Sequence, residues 1–98
     1  MTQEEANHII DVLHARNGNQ YNLLKAAEEC QELALALIQK VTKVNKPDDQ
    51  EIIDEIGDVM IRVEILQKIF SQDLIRKRVE EKLSKFQTYL DHEKYKQI

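Results

Sequence analysis

Two pairs of carboxylates carry the chemistry legible in this chain: Glu29 with Glu32 and, after a spacer of 22 residues, Glu55 with Asp58. Both pairs fall in segments whose apolar residues recur with a helical period. Residues i and i+3 share a face of a helix, so each pair aims two carboxylates the same way. Two such helices packed side by side would bring four oxygen ligands together. A hard divalent cation such as Mg²⁺ accepts carboxylate oxygens and keeps other positions open for water and phosphate oxygens. The first expectation is therefore a metal-dependent enzyme acting on phosphates. The plainer alternative is a solvated helix face with weak ion pairs, the commonest fate of charges at this spacing. Two features weigh against it. Gly57 sits inside the second pair, where a helix would prefer alanine by about 1 kcal/mol, and this predicts the close approach of another helix or a ligand. Both pairs also lie in the most apolar part of the chain, where unneutralised carboxylates repel one another and are costly to bury.

Cations accompany the acids. Lys25, Glu29 and Glu32 follow i, i+4, i+7 and make one polar ribbon; Glu55, Asp58 and Arg62 make a second at i, i+3, i+7. Arg62 is equally well explained as an ion-pair partner of Glu29 or Glu32. Arg78, Lys82 and Lys85 share a face further along and are candidates to hold the outer phosphates of a substrate. Tyr21, Asn22 and His14 could contact a base or sugar, but each reads more simply as a turn or surface residue.

Four helices must position these groups. Thr2 with Glu5 forms a capping box that opens the first, whose apolar side is Ile9, Ile10, Val12 and Leu13. It ends at the turn-forming cluster Arg16-Asn17-Gly18-Asn19. The second is expected from about Gln20 to about Val44, with Leu23, Ala26, Ala27, Cys30, Leu33, Ala34, Leu37, Ile38, Val41 and Val44 in helical period. It stops at Asn45-Lys46-Pro47, because a proline disfavours the helical region for the residue before it. Asp48 or Asp49 caps the third, with Ile52, Ile53, Ile56, Val59, Met60, Val63, Leu66, Ile69 and Phe70 as its expected buried set. Ser71 opens the fourth, through Leu74, Ile75, Val79, Leu83, Phe86 and Leu90, before a polar tail from His92 to Ile98. No strand pattern competes, so the fold class is all-α, a single domain over residues 1–98.

Composition sets the bounds. The chain is 98 residues long, 42% hydrophobic and 33% charged, with a net charge of −4. A nucleic-acid binder would usually carry a basic excess, so none is expected as a partner. No run approaches the roughly 18 apolar residues of a membrane span. The N-terminus lacks the basic-then-apolar plan of a signal peptide, and a cytoplasmic location is expected. The single cysteine, Cys30, cannot form an intrachain disulfide and reads as a small core hydrophobe. His8, His14 and His92 have no zinc-site spacing. A domain this small has a marginal core, and its central helices are apolar over more than one narrow stripe; an oligomer would resolve both.

The stretch Lys25-Ala-Ala-Glu28-Glu29-Cys-Gln-Glu32-Leu33, followed by Asp54-Glu55-Ile-Gly57-Asp58-Val59, resembles the paired E-x-x-E and E-x-x-D signature of the MazG-like all-α nucleoside triphosphate pyrophosphohydrolases. The resemblance runs from about Asn22 to Phe86, and Lys82-Leu-Ser-Lys85-Phe86 is similar to the basic segment that often follows. It implies hydrolysis of a (deoxy)nucleoside triphosphate to the monophosphate and pyrophosphate, dependent on Mg²⁺ with Mn²⁺ as a substitute. It implies Glu29, Glu32, Glu55 and Asp58 as metal ligands. Beside it, we assign Glu32 as the base, and Lys25, Arg62, Arg78, Lys82 and Lys85 as the groups on the substrate. The resemblance also implies a homodimer or homotetramer of the all-α NTP pyrophosphatase type, with a neighbouring subunit completing the site. The tryptophans that several members place near the substrate are missing here. Two other functions compete. One is phosphoribosyl-ATP pyrophosphohydrolysis, which shares this logic. The other is a catalytically silent helical interaction module, in which Arg62, Arg78 and Lys82 would pair with the carboxylates.

Overall fold

Helix boundaries follow the caps that the chain supplies. The computed structural model describes residues 1–44 and 46–92, and contains four helices: α1 (Gln3–Arg16), α2 (Asn19–Thr42), α3 (Asp49–Ile69) and α4 (Gln72–Asp91). There is no strand among the described residues. The capping box of α1 is formed: the Glu5 backbone N–H donates to Thr2 Oγ1 at 3.1 Å, and the Thr2 N–H donates to Glu5 Oε1 at 3.2 Å. Asp48 caps α3 by accepting from the Glu51 N–H at 2.9 Å, and Ser71 caps α4 by accepting from the Leu74 N–H at 3.2 Å. Only α2 starts without a side-chain cap, at Gly18. It also stops earlier than expected, at Thr42, because Lys43 already has an extended backbone. Asn45 and residues 93–98, most of the expected polar tail, lie outside the described residues.

The helices pack unequally. α2 and α3 form the main contact, α1 lies against α3, and α4 touches α3 only lightly. Lys40, near the end of α2, pairs with Asp49 at the start of α3 at 2.9 Å, so the two helices run antiparallel. Lys68 of α3 pairs with Asp11 of α1, also at 2.9 Å. Both pairs are exposed and contribute little individually.

The interior differs from the expected one. Among the described residues the buried apolar ones are Ala26, Ala36, Ile65 and Pro47, joined by the polar Asn22. Of the residues expected inside α3, Ile53, Ile56, Met60, Val63 and Phe70 are exposed, and Ile52, Val59, Leu66 and Ile69 are half-buried. Ile65, 1% exposed, was not in that set. In α2, Leu23, Leu37, Ile38 and Val41 face outward, and Cys30 is exposed instead of being a core hydrophobe. The physical reason is that α2 and α3 meet along the faces that carry their acids, which leaves their broad apolar faces uncovered. In keeping with this, the radius of gyration is 16.8 Å, against about 12.6 Å for a compact 98-residue domain. No described helix is long and apolar enough to cross a membrane.

Candidate metal centre

Antiparallel packing converts two local spacings into one cluster. With Lys40 beside Asp49, counting back along α2 and forward along α3 brings Glu32 level with residue 57, between Glu55 and Asp58, and Glu29 to within a turn of Asp58. Carboxylate oxygens of Glu29, Glu32 and Glu55 all lie within 4.8 Å of one another. Asp58, the fourth expected ligand, is not in that group; it is exposed, yet close enough for its charge to act on both Glu29 and Glu55. One doublet is therefore fully assembled, and the other contributes its first member.

The cluster is uncompensated. Glu29 Oε2 and Glu55 Oε2 are withdrawn from solvent and accept no hydrogen bond. Partial burial pushes the Glu29 carboxyl above the ordinary carboxylate range, and the charges of Glu32 and Asp58 push it further. Burial likewise raises Glu55, followed by repulsion from Glu32, Asp58 and Glu29. Burying a polar atom without a partner costs free energy, and doing so with a charge costs more. Such a donor set of three carboxylates with free, inward oxygens fits a divalent cation with oxygen preference.

The expected cations do not neutralise it. Lys25 pairs with Glu28 at 3.2 Å and not with Glu29, and that hydrogen bond is the main reason its pKa is raised. Arg62 is half-buried and, among the described residues, joins no ion pair, so the expected bridge to Glu29 or Glu32 is not made. Arg78 pairs with Glu81 of its own helix at 3.5 Å, and Lys82 lies 5.2 Å from the Phe86 ring centroid. These two and Lys85 sit on α4, which touches α3 lightly, and none of them pairs with Glu29, Glu32 or Glu55 among the described residues. Gly57 has no heavy atom within 4 Å of the place a Cβ would occupy, so the close approach expected there is not made within the chain.

Sequence reasoning missed the cleft beside the cluster and the burial of Asn22. A cleft of about 350 Å³ opens beside the cluster, sharing Glu32 and Glu55 with it and adding Leu35, Ala36, Pro47, Gln39 and two further acids, Glu51 and Asp54. Gln39 is one helical repeat beyond Glu32, and that spacing was the available signal. Asn22, read as a turn or surface residue, is 1% exposed; its Nδ2 donates to the Asn17 carbonyl at 3.3 Å, while its Oδ1 has no partner. It lies two turns before Glu29 on the same face. Tyr21 is exposed and His14 half-buried, and no histidine joins an acid cluster among the described residues.

Comparison of the chain with protein-family models, with curated proteins and with solved structures finds no match.

Proposed function

We propose that this protein is a Mg²⁺-dependent pyrophosphohydrolase that cleaves a nucleoside or deoxynucleoside triphosphate to the monophosphate and pyrophosphate, working as a homodimer or homotetramer. The observation that carries this reading is the convergence of Glu29, Glu32 and Glu55 with two inward oxygens left unpaired. A silent interaction module would need Arg62, Arg78 or Lys82 on those carboxylates, and among the described residues none is there. The motif resemblance adds the reaction class.

Glu29, Glu32, Glu55 and the adjacent Asp58 would hold the cation. When bound, it supplies charge neutralisation at the phosphate oxygens and a more acidic water. Glu32 is the exposed member of the three, the one with access to solvent, and is assigned as the base. It takes a proton from a water whose oxygen bonds to the α-phosphorus, while the bond to the pyrophosphate oxygen breaks. The cleft beside Glu32 and Glu55 would offer the nucleoside room, with Leu35, Ala36 and Pro47 as apolar surface and Gln39 as a hydrogen-bonding group; Glu51 and Asp54 also line it, so the phosphates would have to lie on the cation and not in the cleft. Arg78, Lys82 and Lys85, which pair with none of the cluster carboxylates of their own chain, would reach the outer phosphates from a neighbouring copy.

The test is pyrophosphate release from each NTP and dNTP in the presence of Mg²⁺, with thermal melting run in parallel. Release that is lost in Glu29→Gln and Glu55→Gln is the expected result. Activity surviving those changes, or no release together with no Mg²⁺-linked rise in Tm, overturns the reading. Cleavage of phosphoribosyl-ATP without cleavage of any NTP or dNTP would move the same site to the biosynthetic substrate.

A further inference from the structure

We propose that the outer face of α2 is the surface on which two copies of this chain pack, α2 against α2, about a two-fold axis at Cys30. This assigns a surface to the oligomer of the preceding reading; it does not depend on the hydrolysis proposed there.

Charge defines the face. All five charged residues of α2, at positions 25, 28, 29, 32 and 40, fall within roughly one third of the helix circumference at 100° per residue. The opposite side carries no charge for six turns, in a chain that is 33% charged. Along its middle run Leu23, Ala27, Cys30, Ala34, Leu37 and Val41, spaced alternately four and three apart. That alternation is the seam of a helix that meets another helix lengthwise. All six are exposed in a single copy, Leu37 at 47% and Val41 at 87%. Ile38, at 60%, widens the patch. A helix this apolar on its solvent side is expected to be covered.

The missing cover has a size. The accessible surface is 8077 Å², whereas a compact monomer of 11.5 kDa would expose about 5,800 Å². The excess, about 2,300 Å², exceeds the roughly 800 Å² per partner that a stable interface hides. α2 itself has one substantial neighbour, α3, so its other side is where area can be recovered. A second copy is the occupant that the pattern fits. Two-fold packing is self-complementary, with residue i on j and j on i. Turned antiparallel about Cys30, Leu23 meets Leu37 of the second copy and Ala27 meets Ala34, so large side chains close the ends and small ones let the backbones approach at the centre. The absence of charge means that no like charges are brought together by symmetry.

Cys30 makes this testable with the native chain. Sedimentation should give a dimer or a multiple of it. Cys30 should react with maleimide roughly tenfold or more slowly than in urea, since a covered thiol is inaccessible. Diamide should convert two Cys30 thiols to one intermolecular disulfide, the thiols losing two protons and two electrons as the diazene is reduced to the hydrazine; Cys30→Ser should abolish the cross-link. Sedimentation, labelling and cross-linking all use folded native protein, so none depends on a variant that fails to fold. A monomer at micromolar concentration overturns the proposal, whatever its activity. So does an oligomer whose Cys30 labels as fast as the unfolded chain or yields no cross-link.

Discussion

The two long sides of α2 invert the usual arrangement. Its inner side, against α3, carries Glu29 and Glu32 beside small residues, and there Ala26 and Ala36 are the buried apolar groups. Its outer side carries Leu23, Leu37, Ile38 and Val41 and faces solvent in one copy of the chain. The contrast teaches that hydrophobic burial within the chain does not select the α2–α3 contact unaided. A seam built from small residues lets two helices come close enough to converge three carboxylates. The large apolar groups of α2 lie on the other side, where the proposed two-fold contact would cover them. Under these proposals, stability and chemistry fall on opposite faces of one helix.

That contrast can be broken from either side. The largest effect is expected at the outer face. Placing a charge at both ends of it, Leu23→Asp with Leu37→Asp, should dissociate the proposed assembly and remove the cooperative melting transition at micromolar concentration, because so few apolar residues are buried among the described ones in a single copy. Sedimentation and circular dichroism measure it; a fully assembled, cooperatively melting double variant would refute the division of roles.

At the inner face, the sign should reverse. Glu55→Gln should abolish pyrophosphate release while raising the Tm of the metal-free protein, since the substitution removes a repelled, unpaired charge and keeps the shape. A lowered metal-free Tm would mean that Glu55 has a stabilising partner.

The same repulsion gives a pH dependence. The carboxyls of Glu29 and Glu55 are raised above their ordinary value of 4.5, so the folded chain holds protons more tightly than the unfolded one. The stability this brings is complete below the unfolded value and is lost as pH rises through the folded one. Metal-free protein should therefore gain Tm on acidification towards that range, while the Tm increment given by Mg²⁺ should grow with rising pH as protons stop competing. Urea titrations at several pH values, with and without Mg²⁺, check both slopes.

The smallest effect is at Gly57. A Cβ there meets nothing within 4 Å, so Gly57→Ala should stabilise the chain by about 1 kcal/mol in a urea titration. If the same variant loses activity, the space beside Gly57 is used by a ligand or a second copy.

What the sequence makes legible follows the range of the interaction. Caps are local, so Thr2, Asp48 and Ser71 are readable as the starts of α1, α3 and α4. Three of the four carboxylates are readable together because Glu29 and Glu32 share a face and an antiparallel turn brings Glu55 to it; Asp58 falls outside the group, which spacing alone does not foretell. The interior is not readable in this way. Apolar periodicity states that a face seeks cover and is silent on whether the cover belongs to the same chain. Cys30 and Met60 were therefore placed inside when they face out. Ile65 was passed over because it shares a face with Asp58 and Arg62, which looks polar in sequence. Asn22 was passed over because an amide after a turn cluster usually serves the turn.

That amide has a consequence for how the chain opens. α2 lacks a cap, and the start of such a helix normally frays, exchanging its amide hydrogens without wider unfolding. Here the Asn22 side chain, withdrawn from water, ties the second turn of α2 back to the Asn17 carbonyl. Releasing it requires the packing around this buried side chain to open, and the main packing partner of α2 is α3. Deuterium should therefore enter the start of α2 on the timescale of separating α2 from α3, so the uncapped end of the helix reports on the opening of the whole seam.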